Sequence, residues 1–398
     1  MLEKLSRHES FKNFLEEIAA LGFTVSSSPQ ANSFPYGVIG GRSNARWWLI
    51  PLHNRHVSSS ALALFQPVLP SAKFIKNVAS TIISLGMSSL WAREKIYISC
   101  PAVFNDLFKV KNCSYAFFTG TDSPHRKTAI QIMDNVGKLL GFAKVSANKP
   151  VKNLMCHEEE ILNHLKTLDL KTAYIPSVLL NKEIKGTSVL VIDTLKTRTS
   201  KSPVALCEPH IAFILELTKL TKSRKLLTQS DFLKNINNQA EQFRPIILNN
   251  SQKLLYEALR ILNQQSADLP IETSSCHGDF TPWNCFLVDQ KLYVFDWEYG
   301  KTSCSLGYDC CNFHLALPQN NLMSPNITIK RITELLQKHH LAKNDKEARL
   351  LILSYLCDRI LLYIERDERQ SKKNIVTNWE GEKNMMKLLE NILNIMSQ

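Results

Sequence analysis

One stretch, residues 276–300, constrains the fold more than any other part of the chain. It reads CHGDFTPWNCFLVDQKLYVFDWEYG and contains His277, Gly278 and Asp279, followed after four residues by Asn284. A carboxylate and a carboxamide at this spacing place two oxygen donors on one short segment. The proline and the bulky aromatic residues between them predict a loop that is held in one conformation.

Two short apolar runs follow this loop and read as the strands of a hairpin. Cys285–Val288 and Lys291–Phe295 are joined by Asp289 and Gln290. Short runs of this kind around a two-residue connection are typical of a β-hairpin. The second run ends directly at Asp296. We therefore expect the hairpin to return the Asp296 carboxylate to the loop that carries the first two oxygen donors.

The loop and the hairpin together resemble a known family. The pattern H-x-D-x-x-x-x-N at 277–284 resembles the catalytic loop of kinases. The reading HGD, combined with Asp296-Trp297-Glu298 and a later Gly307-Tyr308-Asp309, is similar to the aminoglycoside phosphotransferase and choline kinase branch. The resemblance extends from about Ser114 to the end of the chain. It implies that Asp309 is a buried structural acid rather than a reactant.

The chemistry of phosphoryl transfer explains why three oxygen-bearing side chains should converge. The protein mainly positions the attacking hydroxyl and neutralises charge on the phosphates. Mg²⁺ takes oxygen ligands in near-octahedral geometry. The pattern therefore predicts Asp279 as the acceptor of the hydroxyl proton and Asn284 and Asp296 as ligands of Mg²⁺, with ATP as the phosphate donor.

The resemblance also implies a fold class and a domain organisation. We expect an α+β, bilobal protein-kinase-like fold. Residues 111–197 would form the small β-rich N-lobe, and residues 198–398 the large helical C-lobe with the catalytic loop. Residues 1–110 would form an N-terminal α/β extension.

Three apolar runs after the extension predict the meander that begins a kinase N-lobe. These runs are Ser114–Thr119, Lys127–Met133 and Lys138–Val145. The loop between the first two, GTDSPHR, contains a single glycine, unlike a G-x-G-x-x-G loop. We expect its phosphate contacts to come from backbone N–H groups and from the hydroxyls of Thr121 and Ser123.

Lys144 lies in the third of these runs, in the context F-A-K-V. An ammonium group there can bridge the α- and β-phosphates of ATP when a helix carboxylate orients it. The helix predicted at Pro150–Leu168 follows directly and contains three consecutive glutamates. Glu158 shares the stripe of the buried leucines four and seven residues later, so it is the preferred partner, with Glu159 second.

The next runs predict the hinge between the lobes. Ile175–Leu180 and Ser188–Ile192 read as strands, with Gly186 in the turn between them. Asp193, Thr194 and Leu195 follow and would recognise the adenine edge through their backbone N–H and C=O groups.

Helical periodicity predicts most of the remaining chain to be helical. The predicted helices are His210–Leu220, Ser251–Asn263, Ile327–Leu336, Lys346–Glu365 and Glu380–Met396. The resemblance implies that the terminal helices build the acceptor pocket. It also implies that His277 braces the catalytic loop, and we interpret His210 as structural.

The extension shows its own pattern. A helix is predicted at Glu9–Leu21, a buried strand at Ala45–Ile50 and a second helix from Pro70 through Ile83. Trp47 and Trp48 are interpreted as core residues, sufficient for a small appended core. This block loosely resembles the extension of some bacterial phosphotransferases associated with cell-surface glycan synthesis. We expect it to serve the acceptor or the packing of the lobe rather than the nucleotide, so that a chain starting near residue 112 would still bind ATP.

Composition and charge indicate the cellular location and the kind of partner. The sequence predicts no signal peptide and no membrane span, and the ten cysteines lack metal-ligand spacing, which favours a cytoplasmic location. The formal net charge of +12 favours an anionic partner or a solvated basic surface. A peripheral membrane contact stays open, and no specific nucleic-acid partner is predicted.

Three classes of function compete. The first is an active kinase, the second a catalytically silent kinase-fold binding protein, and the third an unrelated fold with chance motifs. The order of Lys144, Glu158, Asp279, Asn284 and Asp296 favours the first. The acceptor stays open. A sugar hydroxyl of an anionic glycan or its precursor is preferred, with choline or another small alcohol next, because the basic balance argues against polycationic aminoglycosides.

Overall fold

The computed structural model describes residues 2–40, 45–64, 78, 81–83, 95–121, 123, 125–245, 249–268, 271–317, 319–320, 323–368 and 380–397. The chain divides into two compact units. The first comprises Met1–Asn163 and Pro176–Lys201, and the second comprises His164–Ile175 and Ser202–Gln398. The first is rich in strands and the second in helices. The predicted α+β class is confirmed.

The first unit is built on one antiparallel sheet, in which the described residues contribute nine strands. The strands are β1 Thr24–Ser26, β2 Ser33–Gly40, β3 Trp47–Pro51, β4 Lys95–Ser99, β5 Ser114–Phe118, β6 Thr128–Met133, β7 Leu139–Ser146, β9 Val178–Ile184 and β10 Thr187–Asp193, while β8, Ala173–Tyr174, belongs to the second unit. Their order across the sheet is β1-β4-β2-β3-β5-β6-β7-β10-β9.

Most predicted strands form within a residue or two of their expected bounds, but β9 does not. It begins at Val178 rather than at the predicted Ile175. The Asp193 side chain accepts the Ser177 N–H at 2.6 Å, and this N–H is therefore not available to a backbone carbonyl of β10. Pro176 has no N–H to offer. The regular ladder consequently starts only after these two residues.

The sheet is continuous across the predicted boundary between residues 110 and 111. Strand β3 of the extension pairs with β5, with Leu49 opposite Phe117. Trp47, Phe117 and Val145 are buried in the same hydrophobic core. The core role of Trp47 is therefore confirmed, but the separate appended core is not. The apolar face of a strand carries no mark of which other strand it will pair with, so this long-range pairing could not be read from the sequence.

Five helices of the described chain start in the first unit: α1 Leu2–Leu5, α2 Glu9–Ala20, α3 Arg55–Ala61, α4 Asn105–Phe108 and α5 Lys149–Lys166. Helix α2 was predicted as Glu9–Leu21 and packs Phe11, Phe14 and Ile18 into the core of the sheet. Most of the helix predicted from Pro70 lies outside the described residues.

The shared core yields a prediction for a chain that starts near residue 112. Removing residues 2–110 would uncover Tyr115, Phe117, Ile130 and Ile132, all fully buried here. Exposing such a side chain costs about 1.5–3 kcal/mol, and a whole domain is stable by about 5–15 kcal/mol. We expect the shortened chain to show no cooperative thermal unfolding by circular dichroism. A cooperative transition like that of the full chain would contradict the shared core.

The second unit is mainly helical. Its helices are α6 Glu208–Thr221, α7 Asp231–Phe243, α8 Asn249–Asp268, α9 Tyr308–Ala316, α10 Pro325–Lys338, α11 Asp345–Glu368 and α12 Glu380–Met396. All five helices predicted in this region form, and α12 has the predicted bounds. Throughout the described part of the chain, the helices are too short or too polar to cross a bilayer.

Two small three-stranded sheets complete the second unit. Their strands are β8, β11 Ser223–Leu226, β12 Glu272–Cys276, β13 Cys285–Val288, β14 Lys291–Val294 and β15 Lys301–Ser305. One sheet has the order β11-β12-β15 and the other β13-β14-β8. The residues 277–284 connect β12 of the first of these sheets to β13 of the second. Both ends of the predicted catalytic loop are thus anchored in strands.

Candidate active site

The backbone of the loop is held by one buried carboxylate. Asp309, in the first turn of α9, accepts the N–H of His277 at 2.7 Å and the N–H of Gly278 at 3.1 Å. Burial raises the pKa of Asp309, although His277 and the two backbone N–H groups oppose the rise. Asp309 thus lies where the resemblance implies, and it fixes two successive residues before Asp279.

The His277 ring braces the loop from inside. Its Nδ1 accepts the N–H of Asp279 at 3.2 Å, so Nε2 carries the proton and donates to the Phe295 carbonyl, 3.0 Å away. The ring centroid lies 4.4 Å from that of Trp297. Both partners of the ring are structural, which agrees with the bracing role implied by the resemblance.

Gly278 is required by the path of the backbone. Its φ is +77°, and a Cβ added there would lie 2.0 Å from the Tyr299 carbonyl oxygen. Any side chain would therefore need both a left-handed backbone and a shift of the segment after Asp296. The close approach packs the loop directly against that segment.

The Asp279 carboxylate is held at both oxygens. Asn284 Nδ2 donates to Asp279 Oδ2 at 3.1 Å and to the Asp279 carbonyl at 2.9 Å. Arg359 Nη2 donates to Oδ1 at 3.3 Å. The Asp279 side chain is still 24% exposed, and each carboxylate oxygen has a further lone pair. The carboxylate is thus oriented and retains the capacity to accept one more proton donor.

The predicted hairpin forms with the predicted turn. Asp289 and Gln290 have φ values of +48° and +67°, a pair of positive values that indicates a type I′ turn. Phe295 N–H donates to the Asn284 carbonyl at 3.1 Å. The end of the hairpin is therefore bonded to the loop, and Asp296 follows at once with a φ of +69°.

The Tyr299 hydroxyl is influenced by both acids. Burial raises the pKa of Tyr299 to about 12, and Arg366 opposes this rise. The carboxylates of Asp279 and Asp296 contribute to the same rise. Since a charge perturbs a neighbouring group mainly over short distances in salt, both carboxylates lie near Tyr299, and their convergence on one metal ion stays a prediction.

The donor set suits Mg²⁺. Asn284 uses its nitrogen on Asp279, and within the described residues its Oδ1 accepts no hydrogen bond. Asp296 and the neighbouring Glu298 add carboxylates. Hard oxygen donors of this kind match Mg²⁺ and not a soft transition metal. Asn284 and Asp296 therefore fit the metal-ligand roles predicted for them, and these roles stay predictions.

The first unit carries the predicted ion pair. Lys144 Nζ lies 2.5 Å from Glu158 Oε2, and both side chains are buried. Glu159 instead accepts a hydrogen bond from Asn181 Nδ2 at 2.7 Å. The helix phase thus favours Glu158 over Glu159, which matches the preference from the sequence. The pair orients the ammonium group, and its contact with phosphate stays a prediction.

The other predicted nucleotide contacts lie at the ends of β5 and β10. Thr121 and Ser123 are half-buried in the loop after β5. Asp193 Oδ1 is used by the Ser177 N–H, and Thr194 Oγ1 accepts the Lys196 N–H at 3.0 Å. Leu195 is 43% exposed.

Within the described residues, the Leu195 backbone makes no hydrogen bond to another residue. The Thr194 backbone likewise makes no hydrogen bond among the described residues, and the adenine contact predicted for residues 193–195 stays a prediction.

No family model matches the sequence, and neither does any curated protein. Among solved structures, the crystal structure of aminoglycoside phosphotransferase APH(4)-Ia is similar, with a TM-score of 0.51 and 12% identity, covering 73% of this chain and 96% of that chain. A thermostable variant of APH(4)-Ia, in ternary complex with AMP-PNP and hygromycin B, is similar with a TM-score of 0.51 and 13% identity. The match covers 74% of this chain and 98% of that chain. The chain has the aminoglycoside phosphotransferase fold.

This fold confirms the predicted resemblance and the kinase-like fold class. At 12% identity the likeness is one of fold, so the roles of individual residues rest on the geometry above. The resemblance of residues 1–110 to the extensions of glycan-associated phosphotransferases stays a prediction.

One residue of the site was missed in the sequence. Arg359 of α11 is buried, donates to the Gly278 carbonyl at 2.9 Å and contacts Asp279. The Tyr363 hydroxyl accepts a hydrogen bond from the same Nη2 at 2.9 Å. The signal was present, since Asp358 and Arg359 are two adjacent charges inside the apolar run LLILSYLCDRILLYI. Charges at a core position need partners.

The Arg359→Met variant tests whether this arginine positions the base. Hydrogen bonds to charged groups contribute about 1.5–3 kcal/mol, which corresponds to about 10- to 100-fold in rate. We expect kcat for ATP turnover to fall by that factor while KM for ATP stays unchanged. Arg349→Met, on the same helix and partly exposed, is the control. A purely structural role would instead lower the melting temperature and leave kcat of the folded fraction intact.

A contact between Cys207 and His210 does not form a second reactive centre. Cys207 Sγ lies 3.0 Å from His210 Nδ1 at the start of α6. Burial raises the pKa of Cys207 and lowers that of His210 to about 4. The thiol and the neutral imidazole are therefore favoured over a thiolate–imidazolium pair, and His210 keeps the structural role predicted for it.

Proposed function

We propose that the protein is an ATP-dependent phosphotransferase that moves the γ-phosphate to a hydroxyl of a small molecule or glycan. The observation that carries the proposal is the Asp279 carboxylate, oriented by Asn284 and Arg359 and still open to a further donor. A carboxylate held in this way fits a group that receives the proton of an attacking hydroxyl.

The proposed mechanism assigns each residue one task. Lys144, oriented by Glu158, binds the α- and β-phosphates of ATP. Asn284 and Asp296 hold Mg²⁺, which supplies neutralisation of phosphate charge when it is bound. The acceptor oxygen bonds to the γ-phosphorus, the bond from that phosphorus to the β–γ bridging oxygen breaks, and ADP leaves. Asp279 takes the hydroxyl proton and returns it to solvent.

The preferred acceptor is a sugar hydroxyl of an anionic glycan or of its precursor. The net charge of +12 supports an anionic acceptor, because opposite charge raises the local concentration of substrate. The similar enzyme APH(4)-Ia was solved with hygromycin B, so an aminoglycoside or choline-like acceptor is the second candidate. The ten free cysteines and the use of ATP suit a cytoplasmic location.

A silent binding protein is the alternative function. It would bind nucleotide through Lys144 and Asp296 without turning it over. A protein that has lost catalysis has no requirement for an oriented base, and here the Asp279 carboxylate is contacted by two separate residues. This arrangement favours the active enzyme.

A panel of acceptors tests the proposal. Purified protein is incubated with Mg²⁺ and ATP and with phosphorylated sugars, neutral sugars, choline or aminoglycosides, and ADP formation is followed. We expect one class to raise ADP formation above the acceptor-free rate, with the new phosphoester identified by mass spectrometry. The same class should give no rise with Asp279→Asn. Nucleotide binding without turnover across the panel would favour the silent protein.

A further inference from the structure

The loop between β5 and β6, which carries Thr121 and Ser123, is held at both ends by residues of the N-terminal segment. At its start, Thr119 N–H donates to the Trp47 carbonyl at 3.0 Å, and Trp47 N–H donates to Thr119 Oγ1 at 3.1 Å. At its end, Arg126 contacts Glu17 of α2. Two separate elements of residues 2–110 therefore fix the ends of this loop.

The Glu17 carboxylate accepts four hydrogen bonds from three protein donors. Arg126 Nη1 lies 3.0 Å from each of its oxygens. Thr128 Oγ1 donates at 2.6 Å, and the Ala147 N–H donates at 3.4 Å. Glu17 is only 2% exposed, and Arg126 is buried as well. The carboxylate thus joins α2 to the first residue of β6 and to the segment that follows β7.

The backbone of Arg126 connects this ion pair to the β5–β6 loop. Its N–H donates to the Ser123 carbonyl at 2.9 Å, and its carbonyl accepts the Ser146 hydroxyl at 3.2 Å. Near the start of the loop, Gly120 packs closely against its end, since an added Cβ would lie 2.4 Å from the Lys127 carbonyl oxygen. The loop is therefore tied to Ser146, which lies two residues from Lys144 on the same strand.

Stability alone is a weak reason for this buried pair. Burial raises the pKa of Glu17, and although Arg126 and Thr128 oppose the rise, they do not overcome it. Removing two charged groups from water costs free energy that an apolar pair of similar volume would not require. The pair does, however, specify one geometry for the groups it joins.

We propose that Glu17 positions Arg126 and thereby shapes the β5–β6 loop for the phosphates of the nucleotide. This inference rests on the proposed function. It assigns a contribution to nucleotide affinity to residues 2–110, contrary to the expectation from the sequence that this segment serves only the acceptor or the packing of the lobe. Glu17 is a positioning residue and touches no phosphate itself.

The Glu17→Gln variant tests this role. It keeps the size of the side chain but removes the charge that holds Arg126. We expect Kd and KM for Mg²⁺–ATP to rise about tenfold, a typical size for coupling between sites, while kcat changes by less than about twofold. Glu16→Gln is the matched control, because Glu16 is the exposed neighbour whose carboxylate lies 3.8 Å from Lys12. The control should leave Kd unchanged.

Arg126→Lys is the second variant, in case Glu17→Gln does not fold. Lysine keeps the charge but cannot contact both Glu17 and Thr128 in the geometry of the guanidinium group. It should also weaken nucleotide binding. A lower melting temperature with unchanged Kd in the folded variants would assign the pair to stability and overturn the inference alone. A parent chain that binds no Mg²⁺–ATP would overturn the proposed function together with it.

Discussion

The Asp279→Asn variant is expected to transfer phosphate about 100- to 10,000-fold more slowly than the parent, the usual contribution of general base catalysis. Asparagine has nearly the same shape and keeps an oxygen for Arg359, which now contacts Oδ1. Its amide cannot receive the hydroxyl proton. The loop should persist, because its backbone is held by Asp309 and His277.

Two measurements separate chemistry from folding in this variant. The melting temperature and the affinity for Mg²⁺–ATP should stay close to those of the parent, while kcat falls. Asp289→Asn is the matched control, since it makes the same chemical change in the exposed turn of the hairpin, where φ is +48° and asparagine is tolerated. Turnover by Asp279→Asn within a few-fold of the parent would show that Asp279 is not the base.

The Asp296→Ala variant is expected to lose the part of nucleotide affinity that depends on Mg²⁺. Even residues that only orient metal ligands typically cost about 10- to 100-fold in metal affinity when removed, so a ligand should cost at least as much. The carboxylate follows directly on the segment that is bonded to Asn284. Its loss should leave the metal with an incomplete set of oxygen donors.

Backbone strain must be separated from metal loss in this second experiment. Asp296 has a φ of +69°, a region in which alanine is strained and asparagine is tolerated. Asp296→Asn therefore serves as the companion variant and should also weaken binding in Mg²⁺. Titrations of ATP with and without Mg²⁺ supply the comparison. Unchanged affinity in Mg²⁺ for both variants would remove Asp296 from the site.

The parts of the site that could be predicted from the sequence are those set by short-range spacing. The loop at 277–284, the hairpin and Asp296 depend on contacts within about twenty residues, and a two-residue turn leaves little freedom in how the strands meet. The Lys144–Glu158 pair depends on one strand, one helix and the phase of that helix. In each case the local pattern determines the geometry.

The parts that could not be predicted depend on distant pairings. Nothing in Trp47–Pro51 specifies that its strand pairs with Ser114–Phe118, because an apolar strand fits many partners. Arg359 reaches Asp279 from eighty positions further along the chain. Glu17 reaches Arg126 across an even longer separation. Helical periodicity places a charge on a buried face but does not identify its partner.

Calorimetric titration of the full chain with the non-hydrolysable analogue AMP-PNP, with and without Mg²⁺, tests the central claim most directly. Binding should be detectable, should strengthen when Mg²⁺ is present, and should weaken in Lys144→Met. Lys138→Met, an exposed change just before the same strand, should bind like the parent. A folded parent chain that binds no nucleotide with or without Mg²⁺, or a Lys144→Met variant that binds as tightly as the parent, would contradict the account.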